Sequence, residues 1–445
     1  MIFNKNRNVF LKVYKMMSFR NIFLKLDYSF SGCYNQIMEN QENLVIRQDY
    51  LETLMRFKDK QLIKVVTGIR RCGKSTLFDL FINHLLENSV SEQNIIKINF
   101  ESPDFFELKD WLSVYKYIKE KLVPDSMNYI FLDEIQNIPE FQKTVDGLFI
   151  LKNCDIYITG SNAYLLSGEL ATLLSGRYVE IKMQPLSFKE YISAHSDKTD
   201  LPSKYRRYVQ FGSFPYILQL SDEKDIRSYL EGIFNTVVLK DIVARKKIAD
   251  VGMLEKVIRF MFDNIGNPTS ATNIANTMTS NRQKISYHTV ENYLSALLDS
   301  FIFYKAERYD VKGKQYLSTN AKYYLCDIGL RYYLLGTKPT DIGHILENIV
   351  FLELKRRGNE VYVGKVDDME IDFIAIYNGE KTYYQVAFTV IDNDNSEKTL
   401  TRELKPLKAV KDSCPKILLT MDNIPPVSYD GIKQKYVLDW LLGED

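Results

Sequence analysis

Residues 62–86 read LIKVVT-GIRRCGKS-TLFDLFINHLL, and the order of these three pieces decides the fold. Leu62–Thr67 is a short, β-branched apolar run of strand length. Gly68-Ile69-Arg70-Arg71-Cys72-Gly73-Lys74-Ser75 has the spacing GxxxxGK[ST]. The residues after it carry the apolar periodicity of a helix. Strand, glycine loop and helix in that order make a phosphate-binding loop. The glycines let the loop curl so that successive backbone N–H groups face the phosphates, at a helix N-terminus that also favours anions. Gly68 through Thr76 are the candidate ATP-binding residues. Lys74 would reach the β- and γ-phosphates and the Ser75 hydroxyl would ligate Mg²⁺. Thr76 is expected to help close the helix start, and Cys72 to be a small buried residue rather than a reactive thiol. Arg70 and Arg71 either add positive charge to the site or face solvent.

Moving outward, Ile95–Phe100, Tyr129–Asp133, Ile156–Thr159 and Tyr178–Ile181 are further apolar runs separated by helix-length spacers. Such alternation predicts a parallel sheet with helices on both faces. YIFLDE delivers Asp133 and Glu134 at the carboxyl end of a strand, where ligands of open α/β sheets bind. Asp133 would hold the Mg²⁺ shell and Glu134 would act as general base on the attacking water. IYITGSN ends another strand in polar residues. Asn162 or Ser161 would then position the water or sense the γ-phosphate, unless the segment is a plain strand-end turn. In LSGR, Arg177 reads either as an arginine finger, in cis or from a neighbouring subunit, or as a loop anchor.

Taken together, GIRRCGKSTLF, IFLDEIQNI, TGSNA and LSGRYVEIKMQPLSFKEY resemble the bacterial and archaeal AAA-type P-loop ATPases with an AAA_14-like core and a C-terminal DUF4143 region. The resemblance runs from about residue 40 to the end. It implies an AAA+-like ATPase in which Lys74, Ser75, Asp133 and Glu134 take the nucleotide and hydrolysis roles, with Asn162 and Arg177 as further candidates.

After about residue 200 the pattern turns helical. Ser270–Met278 followed by Ser286–Asp299 has helix–turn–helix spacing, with Val290, Tyr293, Leu294 and Leu297 as its buried face. Phe301–Glu307 and Gln315-Tyr-Leu, joined through Lys312-Gly-Lys314, would form a wing. Docked in a major groove, Ser286, Tyr287, His288 and Asn292 would reach bases, and Arg282, Lys284, Lys312 and Lys314 phosphates. Glu291 and Asp299 oppose that reading, and a protein-packing module is the alternative. Farther on, Ile345–Arg357 is an amphipathic helix before Val361–Val363, Ile371–Tyr377 and Thr382–Val390. Asn378-Gly379 is the hairpin turn between the last two strands. Glu347, then Glu370-Ile-Asp372, then Gln385-Val-Ala387 follow the order of a restriction-endonuclease-like PD-(D/E)xK site. Gln385 stands where an acid is expected and Ala387 where the lysine is expected, so a degenerate fold without nuclease activity follows unless Lys381 has replaced that lysine.

Composition bounds the rest. Across 445 residues, 58 Lys and Arg against 57 Asp and Glu exclude a globally basic nucleic-acid binder. Five scattered cysteines and four scattered histidines give neither a zinc pattern nor a disulfide framework, and suit a reducing cytoplasm. Uncharged apolar stretches are too short for a transmembrane helix. Residues 1–37 carry six basic residues and Asp27 alone, and read as an extension ahead of a translation start at Met38.

The sequence therefore predicts an α/β protein of three domains. Residues 38–195 form a P-loop NTPase (AAA+-like) core with a parallel sheet and helices on both faces. Residues 196–320 form a winged-helix-like α-rich domain, and 321–445 a restriction-endonuclease-like α/β domain. The expected reaction is Mg²⁺-dependent ATP hydrolysis that rearranges the appended domains. DNA is the candidate partner, and an arginine acting in trans would require a homo-oligomer. A nucleotide-dependent switch with little turnover is the alternative, and an ATP-gated nuclease the weaker one.

Overall fold

The computed structural model describes residues 44–444 apart from 164–175, 247, 314, 337–340 and 392–395. Residues 1–37, Leu174-Ser175 and Lys314 therefore lie outside the described residues. The fold is that of the compact unit Val45–Asp445.

The chain enters through α1 (Gln48–Phe57) and then lays down β1 (Ile63–Thr67), α2 (Lys74–Glu87), β2 (Ile95–Asn99), α3 (Trp111–Lys121), β3 (Asn128–Asp133), α4 (Phe141–Phe149), β4 (Cys154–Gly160) and β5 (Tyr178–Lys182). The five strands are parallel in the order β2-β3-β4-β1-β5. Every residue of β1 and β3 is buried, as expected for a parallel sheet covered on both faces. Strand alternation splits the side chains. Ile63, Val65, Ile130, Leu132, Ile156 and Ile158 face α3 and α4, meeting Val114, Ile118, Val145 and Leu148. Val66, Phe131 and Tyr157 face α2, where Phe78 meets Phe131 edge-on at 5.2 Å and Phe131 stacks on Tyr157 at 4.7 Å. Each such side chain contributes about 1.5–3 kcal/mol of burial. This is the P-loop NTPase fold.

A helical stretch comes next: α5 (Phe188–Ser193), α6 (Leu201–Phe211), α7 (Glu223–Ile233), a π-helical turn over Phe234–Asp241, α8 (Ile242–Lys246), α9 (Val251–Asp263), α10 (Ala271–Ser280) and α11 (Tyr287–Asp299). The expected helix–turn–helix is α10–α11, and Val290, Tyr293, Leu294 and Leu297 are indeed buried. Serines cap both helices: Ser270 Oγ accepts from the Asn273 N–H and Ser286 Oγ from the Thr289 N–H.

The hairpin after them is not a free wing. β6 (Phe303–Asp310) and β7 (Gln315–Leu325) join β8 (Glu360–Val366), β9 (Met369–Tyr377), β10 (Glu380–Ala387), β11 (Lys416–Thr420), β12 (Val427–Tyr429) and β13 (Ile432–Tyr436) in one mixed sheet, ordered β12-β13-β11-β10-β9-β8-β6-β7. β6 leaves one edge open to pairing, and β8 takes it in parallel register, Arg308 opposite Val363. A boundary at 320/321 thus falls inside β7. The expected Asn378-Gly379 turn is present, with φ 51° and 85°. Of the remaining helices, α12 (Ile328–Leu335) packs beside α6. α13 (Ile342–Arg356) packs on one face of the mixed sheet and α14 (Ser396–Ala409) on its other side, and α15 (Val437–Leu442) closes the chain. Among the described residues, no helix is long and apolar enough to cross a membrane.

One buried carboxylate sews the helical stretch to the second sheet. Asp327 caps α12 through the Gly329 N–H (2.8 Å) and accepts the Ser213 N–H (2.6 Å) and hydroxyl (2.7 Å). Gly212, at φ 84°, lies so close that a Cβ there would stand 2.1 Å from Asp327 Oδ1. Burial pushes the Asp327 carboxyl up to about 6, although the hydrogen bonds from Ser213 and the α12 amides oppose it. The folded state thus disfavours the ionised form. The cost is absent below the ordinary value of 3.8 and fully present above about 6. Urea titrations should show wild-type stability, relative to Asp327→Asn, falling by on the order of 3 kcal/mol as pH rises from about 4 to about 7.

Candidate phosphate and metal site

The loop between β1 and α2 is shaped by backbone crowding. Gly68 has φ 153°, and a Cβ there would sit 2.1 Å from the Met183 carbonyl oxygen. Only glycine passes. The loop's far end is held by Arg47, whose guanidinium is buried and donates to the carbonyls of Cys72 (3.2 Å) and Gln184 (2.9 Å) while pairing with Glu190 at 2.5 Å. Gly73 provides no side-chain cap for α2. The helix's first N–H groups therefore open toward the loop, where an anion satisfies them.

Lys74 lies inside this curl. Its ammonium, on a side chain only 3% exposed, donates to the carbonyls of Gly68 (3.0 Å) and Ile69 (3.3 Å) and stands 3.4 Å from Glu134 Oε1. Asp133 and Glu134 come off the carboxyl end of β3, the turn being made by Glu134 at φ 53°. One hydroxyl fixes both acids. Thr159 on β4 donates to Asp133 Oδ1 at 2.5 Å and accepts the Glu134 backbone N–H at 2.8 Å. Gln136 donates to Glu134 Oε2 and lies 3.4 Å from the Ser161 hydroxyl.

The two acids are tuned apart. Burial holds Asp133 above its ordinary value, against the pull of Ser75, Thr159 and Lys74. Burial pushes Glu134 the same way, but Lys74, Gln136, Ser161 and Arg70 together outweigh it and hold that carboxyl below its ordinary value. Asp133 Oδ2 is buried without a hydrogen-bond partner. A hard divalent cation between the Ser75 hydroxyl and that oxygen would satisfy it, so these oxygen donors fit Mg²⁺.

The other candidates divide. Ser161 and Asn162 are both buried at the end of β4, beside the acids' turn. Cys72 is fully buried, and burial raises its thiol, as an inert structural cysteine requires. Arg71 is exposed at φ 67°. Arg70 leaves the loop to pair with Glu101 (2.8 Å) and with Asp241 of the π-helical turn (3.0 Å). Arg177 is not brought to the site. It precedes Tyr178, the partner of Ile63 at the start of β1, whereas the loop comes after Thr67 at its end. The length of β1, about 16 Å, separates them. Its guanidinium pairs with Asp146 at 2.7 Å over the Phe149 ring.

Sequence reasoning missed Thr159 and Arg47. The available signal for Thr159 was its place one residue before the end of a strand adjacent to β3.

In the helix–turn–helix, Glu291 occupies the expected reading face. It accepts the Tyr287 hydroxyl at 2.5 Å and lies 3.8 Å from His288. Lys312 is bound to Asp367 at 2.6 Å, whereas Arg282, Lys284 and Asn292 are exposed. In the second sheet, Asp372 accepts the Val386 N–H and Gln385 donates to Glu403. Lys381 bonds the Tyr309 hydroxyl instead of the acids. The ammonium among them comes from Lys322 on β7, 2.8 Å from Glu347 and 2.7 Å from Glu370.

Comparison with known proteins agrees with the core. An AAA domain family model, AAA_14, matches residues 60–192. The expected DUF4143 is not shown: the model that matches residues 202–341, across the helices and the β6–β7 hairpin, is a different one, a domain of unknown function (DUF8612). A Haemophilus influenzae protein described as uncharacterized is 45% identical over 406 residues, 90% of this chain and 99% of its own. The uncharacterized protein MJ1544 of Methanocaldococcus jannaschii is 32% identical over 388 residues, covering 81% of this chain and 80% of its own. Among solved structures, the Walker-type ATPase PABY2304 of Pyrococcus abyssi covers 66% of this chain and 97% of its own, with 14% identity and a TM-score of 0.46. The Aeropyrum pernix ORC1 protein, solved in complex with DNA, covers 65% and 92%, with 12% identity and a TM-score of 0.30.

Replacing Thr159 by valine removes a donor to Asp133 and the acceptor of a buried N–H. The expected loss is about 1–3 kcal/mol of stability in urea titration. Thr159→Ser should restore most of it.

Proposed function

We propose that this chain, which belongs to the same family as the Haemophilus influenzae and Methanocaldococcus jannaschii proteins, is a Mg²⁺-dependent ATP hydrolase. The observation that carries this reading is the Thr159 hydroxyl holding Asp133 and Glu134 together, with Glu134 only 3.4 Å from the Lys74 ammonium. A loop that merely bound phosphate would have no need of a second, ionised carboxylate fixed beside the first.

In this reading the first-turn N–H groups of α2 and Lys74 hold the β- and γ-phosphates. Ser75 and Asp133 hold Mg²⁺, which neutralises charge on the phosphate oxygens. Glu134, kept ionised, orients a water and accepts its proton as that water attacks the γ-phosphorus in line. Asn162 or Ser161, buried just past the end of β4, would position the water. Arg177 has no part within one chain, since β1 stands between it and the loop.

Coupling would run through Arg70. Its guanidinium joins the phosphate loop to Glu101 on the core and to Asp241 on the helical stretch. Phosphate charge in the loop competes with those two carboxylates, so gain and loss of the γ-phosphate would shift the 196–320 region against the 38–195 core. DNA is the second reading for what is moved. The exposed Arg282 and Lys284 beside α11 support it, and Glu291 on the same helix counts against it.

ATP turnover measured with Mg²⁺ tests the proposal. Glu134→Gln should lose about 100-fold or more in turnover while still binding ATP, and Lys74→Ala should lose both. Turnover raised by duplex DNA would favour the DNA reading. Tight ATP binding by wild type with no turnover would replace hydrolysis by a nucleotide-dependent switch.

A further inference from the structure

Both oxygens of the Glu134 carboxylate carry a donor. Oε1 faces the Lys74 ammonium at 3.4 Å, and Oε2 accepts from the Gln136 side-chain amide. A base needs one oxygen open to the water, so one of these donors has to leave. In the hydrolysis reading Lys74 turns to the phosphates and opens Oε1, and the inference rests on that reading. Gln136 has no such second duty and stays on Oε2.

Gln136 is also built into place. It sits in the 3-10 turn Ile135–Asn137 that follows β3. The Asn137 N–H bonds the Glu134 carbonyl at 3.1 Å, the Ile138 N–H bonds the Ile135 carbonyl at 3.0 Å, and the Ile135 side chain is fully buried. Its amide can face only one way. An ionised carboxylate only accepts, so the nitrogen has to point at Glu134, and the same nitrogen lies 3.4 Å from the Ser161 hydroxyl. That leaves Gln136 Oε1, which is buried and has no hydrogen-bond partner among the described residues. Orphaned buried acceptors are uncommon, and a small donor present only during the reaction accounts for this one.

Water is such a donor. Once Lys74 has left Glu134, Glu134 Oε1 and Gln136 Oε1 each lack a hydrogen, and a single hydrogen bond ties their side chains together. A water has two hydrogens to give, and giving both leaves its lone pairs for phosphorus. We propose that Gln136 positions the base and the attacking water together: its nitrogen fixes the Glu134 carboxylate and its carbonyl oxygen accepts the water's second hydrogen. The water oxygen bonds the γ-phosphorus as the bond to the β,γ-bridging oxygen breaks. One proton passes to Glu134 Oε1, and ADP leaves with the bridging oxygen. Gln136 itself gains and loses no proton.

Steady-state turnover and Mg-ATP binding of the full chain test this, with Gln136→Met made alone and in the Glu134→Gln background. Methionine keeps the length of the side chain and loses both hydrogen-bonding groups. Gln136→Met should lower kcat roughly tenfold to a hundredfold, with KM and ATP affinity within about twofold of wild type. Retained affinity also shows that the variant is folded. In the Glu134→Gln background the same substitution should change turnover by less than about twofold, because Gln136 acts through a base that is already gone. An unchanged kcat in Gln136→Met would overturn the proposal. So would losses that multiply in the double variant, or an ATP affinity that falls in step with kcat, as a residue that merely supports the fold would give. Full turnover in Glu134→Gln would remove the base reading itself, and no turnover in wild type the hydrolysis reading.

Discussion

The turn Met183–Leu186, leaving β5, is the constraint on which the phosphate loop and its surroundings depend. Almost every polar group of its backbone is taken by a different part of the chain. The Met183 N–H bonds Thr67 and its carbonyl presses on Gly68. Arg47 takes the Gln184 carbonyl, and the Tyr50 hydroxyl accepts the Gln184 N–H. Arg356 of α13 donates to the Pro185 carbonyl at 3.2 Å. The Leu186 N–H bonds Ser213, and its carbonyl accepts the Tyr208 hydroxyl. One turn thus gathers α1, the loop, the helical stretch and a helix of the second sheet.

That convergence requires two buried guanidiniums near one another, and the chain neutralises each locally. Arg47 has Glu190, and Arg356 has Glu353. Such pairs barely recover their own desolvation, so they are weak evidence for stability. Their geometric demand is stronger. A planar donor that must meet two carbonyls and a carboxylate accepts only one arrangement of those three elements. Through this arrangement Arg47 ties the phosphate loop at Cys72 to the turn after β5 at Gln184.

How much of this was legible in the sequence depended on whether partners were neighbours along the chain. The loop, its strand and its helix are contiguous, so their chemistry reads directly from Gly68 to Thr76. Asp133 and Glu134 read from the strand that carries them. Thr159 did not, because its partners lie 25 and 26 residues away and only strand pairing brings them together. Arg177 was left open between an arginine finger and a loop anchor, and it pairs with Asp146. Its position just before β5 already put it at the amino end of a parallel strand, the end away from ligands. The two strands of the hairpin β6–β7 were legible from their own residues, but the wing expected of them is part of a larger sheet. No local pattern states which neighbour completes an open edge, and β8 completes it here.

The second sheet shows the same principle acting on chemistry. Its acids were read from sequence order, and the lysine was sought on the following strand, at Ala387 or Lys381 of β10. The ammonium came from β7, on the joined hairpin, and it is spent between Glu347 and Glu370. Tyr324 adds a hydrogen bond to Glu347 at 2.6 Å, and Gly266 lies over the cluster, a Cβ there meeting Glu347 Oε2 at 3.4 Å. Burial, together with the neighbouring Glu347 charge, drives Asp372 well above its ordinary value, whereas Lys322 helps hold Glu347 below its own. A lysine held between two carboxylates is poorly placed to steady a nucleophilic water. The cluster instead fastens the hairpin, and through it the helical stretch, to the second sheet. Lys322, carried on β7, thus ties the joined hairpin electrostatically to α13 and β9.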